Sequence, residues 1–377
     1  MKKIGVYDPF LDTLGGGEKY ILSIMDVFAD LEYEINIIWD KDLTQEIKNR
    51  FAFRYINTWK WLPNVFRCHP ERSRGILNKI SRLISLARND NFFSILKEYD
   101  YFFYVTDCSY FFSGAKKNFV YAMIPDKKLY SLSLINRLKL INYQFITHST
   151  FTQKWLKKFG IKSTVIMPYL DNKLIKQDTS SFKKEKIILS VGRFFSHLHS
   201  KRQDLMIQTF KDLKNKSKEF ADYKLILAGG LMKEDQKYFD RLKKLAGNDL
   251  SIIFEVNVSL DKLDKLYKLA TYYWHFAGLG VDEEKNPEQV EHFGIAPLEA
   301  MASGCLTFCY SAGGPKELIN DNKNGFLFTS SDELINKMIK INSNDVLKEN
   351  VVSNGKQFVK ENFSYQVFKN KIKDSLI

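Results

Sequence analysis

The sequence has 377 residues, of which 45% are hydrophobic and 27% charged, and its formal net charge is +13 at pH 7. This length is typical of two domains. No apolar run approaches the roughly 20 residues that span a bilayer, and Asp8 and Asp12 make the N-terminal segment too polar for a signal peptide. We therefore expect a cytoplasmic protein. The positive charge favours anionic partners, but no segment resembles a nucleic-acid-binding module.

Short β-branched or aromatic runs alternate with amphipathic stretches along the first half of the chain. Between the first two runs, residues 18–31 place apolar side chains on one face of a predicted helix. The predicted strands are Lys3–Tyr7, Glu34–Trp39, Tyr101–Val105, Phe119–Ala122, Gln144–Thr147 and Ser163–Met167.

The same alternation continues in the second half, and the chain is predicted to be helical from Asp332 to its end. The predicted strands there are Lys186–Ser190, Lys224–Ala228, Ser251–Phe254, Tyr272–Phe276, Cys305–Cys309 and Gly325–Phe328. Cys305 and Cys309 would lie roughly 13 Å apart on one strand face, at about 3.3 Å per residue. That spacing excludes a disulfide and predicts buried small hydrophobic residues.

Repeated strand–helix–strand order predicts an α/β protein with two doubly wound parallel sheets. A polar stretch, residues 171–186, separates the two sets of elements. We predict an N-terminal domain over 1–170, a C-terminal domain over 171–355 and a closing helix over 356–377. Ligands of such sheets bind at the carboxyl ends of the strands, so a site is expected in the cleft between the domains.

The first candidate ligands follow the strand that ends at Val191. Gly192 and Arg193 come directly after it, and a helix is predicted to begin near Lys201. Arginine and lysine together suit a diphosphate, because one offers a planar fork of donors and the other a compact charge. The alternative is a pair of solvated surface cations.

The second candidate is a pair of carboxylates, Glu291 and Glu299, on either side of a turn at Gly294. A helix is predicted from Pro297, since proline is favoured in a first helical turn. Glu299 would then lie in that first turn, and the amides before it would face a phosphate. The alternative is that Glu299 caps a helix and Glu291 is a surface charge.

These motifs resemble those of the family 4 glycosyltransferases, which have the GT-B fold. The segment 291–304 resembles their E-x7-E signature, and Gly192, Arg193 and Lys201 resemble their phosphate-binding residues. The segments 311–328 and 14–20 resemble the element after the signature and the N-terminal glycine loop. The resemblance covers nearly the whole chain, most strongly residues 186–330.

The resemblance implies a retaining enzyme that uses a nucleoside-diphosphate sugar as donor and needs neither a metal ion nor another cofactor. The catalytic residues would be Arg193 and Lys201, which neutralise the diphosphate, and Glu291, which holds the donor sugar. The implied donor-binding residues are Gly16, Gly17, Gly192, Val256, Asn257, His292, Phe293, Gly294, Ile295 and Glu299.

One departure concerns the acceptor side. Many members carry a histidine before a proline in the N-terminal domain, where this sequence has Ala122 and Met123. Asp126, His148 and His275 are the candidates for orienting an acceptor, and each could equally be structural.

The basic segment 67–88 has apolar residues at helical spacing. It could lie on an anionic membrane surface, where a glycan or lipid-linked acceptor would be met, or pack on its own sheet. We therefore expect a cytoplasmic enzyme that can be peripheral on the inner face of the cell membrane. The predicted function is hexosyl transfer in cell-surface polysaccharide synthesis. The alternative is a non-catalytic relative that binds nucleotide sugar or glycan.

Overall fold

A computed structural model of the chain describes residues 1–64, 66, 93–107, 110–176 and 182–377. The predicted basic helix over 67–88 lies outside these residues, as do Cys68 and Cys108. In the part that is described, no helix is both long enough and apolar enough to cross a membrane.

The chain divides into two compact units. Unit 1 consists of Met1–His148, Thr152–Ile166 and Lys371–Ile377, and unit 2 consists of Ser149–Phe151 and Met167–Asn370. Which unit binds a donor and which an acceptor stays a prediction.

Unit 1 is built on a seven-stranded sheet in the order β3-β2-β1-β4-β5-β6-β7, and every neighbouring pair is parallel. The strands are β1 Lys3–Tyr7, β2 Glu34–Ile38, β3 Lys60–Leu62, β4 Tyr101–Val105, β5 Lys117–Tyr121, β6 Tyr143–Thr147 and β7 Ser163–Val165. The helices in this part of the chain are Gly16–Asp30, Thr44–Arg50, Leu134–Lys139 and Thr150–Lys158, the last of which begins in unit 2.

The helix Gly16–Asp30 shows how the sequence produces these layers. Its predicted apolar face is buried, and a capping box fixes where it begins. The amide of Gly15 donates to Glu18 Oε2 at 2.5 Å, and the Thr13 hydroxyl donates to the same oxygen at 2.8 Å. The glycines that follow β1 are thereby held at the carboxyl end of that strand.

Unit 2 is built on a six-stranded parallel sheet in the order β10-β9-β8-β11-β12-β13. The strands are β8 Glu185–Val191, β9 Lys224–Gly229, β10 Ile252–Val256, β11 Ala270–His275, β12 Leu306–Tyr310 and β13 Phe326–Phe328. The helices are Asn172–Ile175, Gln203–Lys216, Gln236–Ala246, Leu260–Leu269, Ile295–Ala302, Pro315–Leu318, Ser331–Asn342, Asp345–Asn362 and Tyr365–Leu376, the last of which ends in unit 1.

The predicted fold class is confirmed, with three local corrections. The edge strand β3 was not predicted. The helix that carries Glu299 begins at Ile295 rather than Pro297, so Glu299 lies two residues further into the helix than predicted. The helix after β8 begins at Gln203, which leaves Lys201 in the preceding loop. Cys305 and Cys309 are buried and reduced, as predicted.

Candidate functional site

The candidate site of unit 2 lies where its central parallel strands end. Gly192 follows β8 and Asn257 follows β10, and their amides donate to the carbonyls of Ala228 and Gly229 on β9, each at 2.9 Å. The carboxyl ends of parallel strands share one edge of a sheet, which is where doubly wound folds bind ligands. His275 is the last residue of β11 and ends at the same edge.

A three-residue cluster, Lys201, Glu291 and His275, gathers around one carboxylate oxygen. Lys201 Nζ donates to Glu291 Oε2 in a close ion pair, and His275 Nε2 lies 3.0 Å from the same oxygen. The side chains of Lys201 and Glu291 are only 13% and 15% exposed. The sequence predicted Lys201 and Glu291 for this site, and the structure brings them into contact.

The charges in this cluster fix the form of the carboxylate. Burial alone would raise the pKa of Glu291, but Lys201 and the contact with His275 outweigh it and hold that pKa well below its usual range. For His275, burial lowers the pKa despite the neighbouring carboxylate, so the imidazole is neutral. The cluster therefore presents an ammonium group and an anionic carboxylate, which can bind a phosphate and sugar hydroxyls respectively.

Gly192 makes room for the stem of Lys201. A Cβ atom at Gly192 would lie 2.5 Å from Cγ of Lys201. Any residue with a side chain at this position would therefore collide with the stem of Lys201 unless that stem moved. The predicted role of Gly192 was donor binding, and the structure supplies a packing reason for glycine there. It lets Lys201 cross the strand end and reach Glu291.

Arg193 lies apart from this ion pair. Its side chain is 52% exposed, with Nη2 3.6 Å from Asp235 Oδ2 and Cζ 5.1 Å from the Phe195 ring centroid. Nη2 also lies 3.2 Å from the sulfur of Met232. Of the two predicted cations, only Lys201 is engaged with Glu291, whereas Arg193 extends from the same loop into solvent.

Glu299 is fixed by a buried tyrosine. The hydroxyl of Tyr267, on the helix before β11, donates to Glu299 Oε2 at 2.9 Å, and the Tyr267 side chain is only 2% exposed. Tyr267 stands 6.0 Å from Tyr273 by ring centroids, and the Tyr273 hydroxyl reaches the carbonyl of Val191 at 3.4 Å. The two tyrosines therefore connect Glu299 to the end of β8.

The turn between the two carboxylates packs backbone against backbone on the loop after β12. Gly294 has φ +109° and forms the N-cap of the helix Ile295–Ala302. The amide of Gly314 donates to the carbonyl of Glu291 at 2.7 Å. A Cβ at Gly313 would lie 2.1 Å from that carbonyl oxygen. Glycine is needed at Gly313 for this approach.

The other predicted residues of this turn divide between core and site edge. Phe293 is buried in a core cluster and meets Phe363 with ring centroids 6.0 Å apart, whereas Ile295 is half-buried at the start of its helix. His292 is buried and its Nε2 lies 3.2 Å from the carbonyl of Glu288.

Val256 is the last residue of β10 and Asn257 follows it, beside the loop that comes after β9. Asn257 adopts φ +52°, and its Oδ1 accepts from the amide of Leu231 at 3.0 Å. The side chain of Asn257 thus closes the loop that begins at Gly230. The structure places this pair at the edge of the sheet where the parallel strands end, and their contact with a donor stays a prediction.

The site residues predicted in unit 1 include two glycines, Gly16 and Gly17, whose surroundings differ from each other. A Cβ at Gly16 would meet nothing within 4 Å, but one at Gly17 would lie 2.6 Å from the sulfur of Met123. Gly17 therefore makes room for the residue that stands where many relatives carry histidine. Asp126 caps a turn, with Oδ1 accepting from the amide of Lys128 at 2.9 Å.

His148 is buried beside two tyrosines. Its Nδ1 lies 3.2 Å from the Tyr121 hydroxyl, and its ring packs edge-on against Tyr121 and Tyr20. This is a packed position at the end of β6. Its role toward an acceptor stays a prediction.

Sequence reasoning missed Tyr267 and Glu283. Glu283 Oε2 accepts from the amide of Gly313 at 2.7 Å, and its Oε1 pairs with Lys316 at 2.9 Å. It thereby ties the loop after β11 to the loop after β12. Neither residue belongs to a local motif, and only the fold brings them to the site.

We expect His292 to make unit 2 sensitive to mild acid. Burial, opposed by Glu291 and the Glu288 carbonyl, lowers the pKa of His292 to about 4, against about 6.5 in an unfolded chain. Between these values the unfolded chain binds the proton and the folded chain does not. The free energy of unfolding should therefore fall by roughly 1.4 kcal/mol per pH unit on acidification from this residue alone.

Urea unfolding of His292→Gln at pH 7, 6 and 5 measures this contribution. The variant should lose less stability than the original protein over that interval. His197→Gln, on the exposed loop, is the matched control and should follow the original protein. Identical slopes for all three proteins would contradict the prediction.

Among the described residues, no group of three or more histidine, cysteine, aspartate or glutamate side chains is placed to hold a metal ion. The predicted independence of metals and cofactors stays a prediction.

Comparison with known proteins places these features in a family context. Residues 171–358 match the family described as Glycosyl transferases group 1. A GDP-Man:Man(3)GlcNAc(2)-PP-Dol alpha-1,2-mannosyltransferase from Xenopus laevis is 29% identical over 228 residues, which cover 53% of this chain and 44% of that protein. The chain thus spans less than half the length of that curated relative.

Solved structures resemble the whole chain. A glycosyltransferase from Rickettsia africae has a TM-score of 0.71 at 17% identity, covering 99% of this chain and 97% of its own. Anabaena Alr3699/HepE, solved in complex with UDP and glucose, has a TM-score of 0.64 at 17% identity, covering 100% and 99%. These likenesses confirm the predicted GT-B fold. The match to the glycosyl transferases group 1 family falls on residues 171–358, which include Lys201, Glu291 and Glu299.

Proposed function

We propose that the protein is a retaining glycosyltransferase that moves a hexose from a nucleoside-diphosphate sugar to a glycan or lipid-linked acceptor. The observation that carries this proposal is the cluster of Lys201, Glu291 and His275 at the strand ends. It lies within the residues that match the family. The GDP-mannose and lipid-linked substrate in the name of the Xenopus relative, and the UDP bound by the Anabaena protein, support this substrate class.

In this proposal the donor diphosphate binds at Lys201 and Arg193. The bond between the anomeric carbon and the diphosphate oxygen breaks, and the acceptor hydroxyl bonds to the same face of that carbon. Its proton passes to the departing diphosphate. Lys201 stabilises the negative charge that develops there, Glu291 holds sugar hydroxyls, and Glu299 holds those of the ribose. No protein nucleophile and no metal ion take part.

The proposed setting is cell-surface polysaccharide synthesis in the cytoplasm, at the inner face of the membrane. The GDP-mannose-dependent relatives equally suit assembly of a lipid-linked oligosaccharide. Both settings need the same donor chemistry and differ in the acceptor.

A panel of UDP- and GDP-sugars, screened by thermal shift, tests the donor class. A ligand at 100 times its Kd should stabilise the protein by about 2.7 kcal/mol. Transfer of labelled sugar from the stabilising donor to lipid-linked acceptors then tests the reaction. If no sugar nucleotide stabilises the protein, the proposal is wrong.

Glu299→Gln is expected to weaken donor binding and lower kcat/KM by roughly a hundredfold, because a carboxylate accepts hydroxyl hydrogen bonds more strongly than an amide. Glu349→Gln, on an exposed helix position, is the control and should change neither. Donor titration and initial rates measure both effects. Unchanged kcat/KM in Glu299→Gln would remove Glu299 from the site.

A second candidate function is a non-catalytic subunit that binds nucleotide sugar. The observation that favours it is Met123, whose side chain fills the space beside Gly17 where many relatives carry histidine. Donor binding with neither transfer to an acceptor nor slow donor hydrolysis would establish this second function.

A further inference from the structure

One short helix of unit 1 exposes a row of apolar side chains. The side chains of Leu134, Ile135, Leu138 and Ile141, here called the 134–141 surface, are 82%, 56%, 58% and 72% exposed. Leu134, Ile135 and Leu138 lie in the helix Leu134–Lys139, and Ile141 lies in the turn that follows it. A spacing of four residues places Leu134 and Leu138 on one side of the helix, and a spacing of three does the same for Ile135 and Leu138. Among the described residues, no other stretch of eight residues has four large apolar residues this exposed.

The opposite side of this segment is firmly attached to unit 1. Leu132, Leu140 and Tyr143 pack on the hydrophobic core. Lys139 Nζ donates to the carbonyl of Tyr110 at 2.7 Å, and the Tyr143 hydroxyl donates to the carbonyl of Phe111 at 3.3 Å. These contacts hold the segment in place on unit 1. The apolar residues of the 134–141 surface remain exposed because other side chains of the segment fill the positions that face the core.

Cations predominate in the sequence around this surface. From Lys127 to Leu170 the sequence contains no aspartate or glutamate. Asp126, whose carboxylate accepts from the amide of Lys128, is the acidic residue directly before this stretch. The cations of that stretch are Lys127, Lys128, Arg137, Lys139, Lys154, Lys157, Lys158 and Lys162.

The packing brings several of these cations near the surface. Tyr130 stacks on Phe159 with ring centroids 6.4 Å apart, so the end of the helix Thr150–Lys158 lies beside the chain that leads into the 134–141 surface. Lys127, Lys128 and Lys157 are exposed. An apolar row bordered by cations is the pattern of segments that bind at a lipid interface.

We propose that the 134–141 surface docks unit 1 onto an anionic membrane, with Leu134, Ile135, Leu138 and Ile141 entering the interface and the surrounding cations facing acidic headgroups. Apolar burial and attraction to anionic lipid would act together. A second copy of this chain fits less well, because pairing two such surfaces would bring together two sets of cations that far outnumber the neighbouring Asp126. The proposal does not depend on the chemistry in unit 2.

Vesicle co-sedimentation tests this docking. Vesicles of phosphatidylcholine with about 30% phosphatidylglycerol, in about 0.1 M salt, should bind the original protein. Leu134→Ser/Leu138→Ser should bind at least about tenfold more weakly, because two apolar side chains no longer enter the interface. Lys128→Gln/Lys157→Gln should also bind more weakly, and its difference from the original protein should shrink at high salt.

The matched control is Leu250→Ser/Leu260→Ser in unit 2. These leucines are 92% and 59% exposed, so the control removes the same chemical groups from a different surface. It should bind as the original protein does. Thermal unfolding should be unchanged in all variants, since each altered side chain is exposed.

Several outcomes would overturn the proposal. One is equal binding of Leu134→Ser/Leu138→Ser and the original protein, and another is no binding by the original protein. If analytical ultracentrifugation shows a dimer that Leu134→Ser/Leu138→Ser abolishes, without vesicle binding, a second copy occupies the surface instead. Transfer to a water-soluble acceptor should be unaffected by these substitutions, so the docking and the proposed reaction can fail separately.

Discussion

Replacing Lys201 by methionine should lower the rate of sugar transfer by roughly a hundred- to a thousandfold, as expected when one donor to a developing anion is lost. The same substitution should lower the free energy of unfolding by about 3 kcal/mol, because it leaves Glu291 largely buried without its cation. Methionine keeps most of the stem that passes Gly192. The loss therefore reports on the charge.

The control for Lys201→Met is Lys216→Met. Lys216 also pairs with a carboxylate, Asp332, at 2.6 Å, but the two side chains are 47% and 80% exposed. Exposed pairs contribute little, so stability should change by less than about 0.5 kcal/mol and transfer not at all. Urea unfolding and donor turnover measure both quantities. Equal effects of the two substitutions would mean that the Lys201–Glu291 ion pair contributes no more to stability or transfer than an exposed ion pair does.

The same pair also sets a dependence on pH. The pKa of Glu291 is depressed in the folded protein, so its contribution to stability is present above the ordinary carboxyl pKa of about 4.3 and is lost as the pH falls toward the lowered value. Lys201→Met should remove this part of the acid dependence.

Gly313→Ala should be strongly damaging, because the added methyl group meets both an unfavourable backbone conformation and a backbone clash. Gly313 has φ +59°, and a Cβ there would lie 2.1 Å from the carbonyl oxygen of Glu291. The left-handed conformation alone costs about 1–2 kcal/mol for a residue with a side chain. The clash adds to this and displaces the backbone of Glu291, so we expect a loss of roughly 3 kcal/mol and loss of donor binding.

Gly247→Ala separates the two causes. Gly247 has φ +66° and ψ −136°, a backbone conformation that side chains rarely adopt, but open space around it, so it carries a conformational cost without a clash. It should lose roughly 1–3 kcal/mol and bind donor normally. Chemical unfolding and a donor titration make the comparison. If both variants lose the same stability and both bind donor, the close approach of the two loops is unimportant.

The alternation of apolar runs and helices was enough to predict twelve of the thirteen described strands. Tyr101–Val105, buried throughout, has the short β-branched and aromatic pattern of a central parallel strand. The strand Lys60–Leu62 could not be predicted, because three half-exposed residues at a sheet edge carry no periodic signal. Two helices begin at other residues than predicted, because their N-cap residues adopt left-handed conformations. Gly294 starts its helix at Ile295, before the predicted Pro297, and Arg202 starts its helix at Gln203, after the predicted Lys201.

The candidate site was predictable where its residues form a motif and not where they meet by folding. Glu291 and Lys201 stand 90 positions apart, and their resemblance to a known pattern predicted that they share a site. The contact of Tyr267 with Glu299 depends on how a helix packs beside β11, and no sequence spacing encodes it. The position of Arg193 depends on its rotamer, which leaves it beside Asp235.

The division of the chain into units has a practical consequence for dissecting it. Residues 149–151 belong to unit 2 but are flanked on both sides by unit 1. The amides of Thr150 and Phe151 donate to the carboxylate of Glu317, a group whose pKa burial already raises. A fragment covering only 167–370 would strip Glu317 of both donors. No single cut therefore yields an intact unit 2, and a recombinant version would need residues 149–151 grafted back or Glu317 replaced by an uncharged residue.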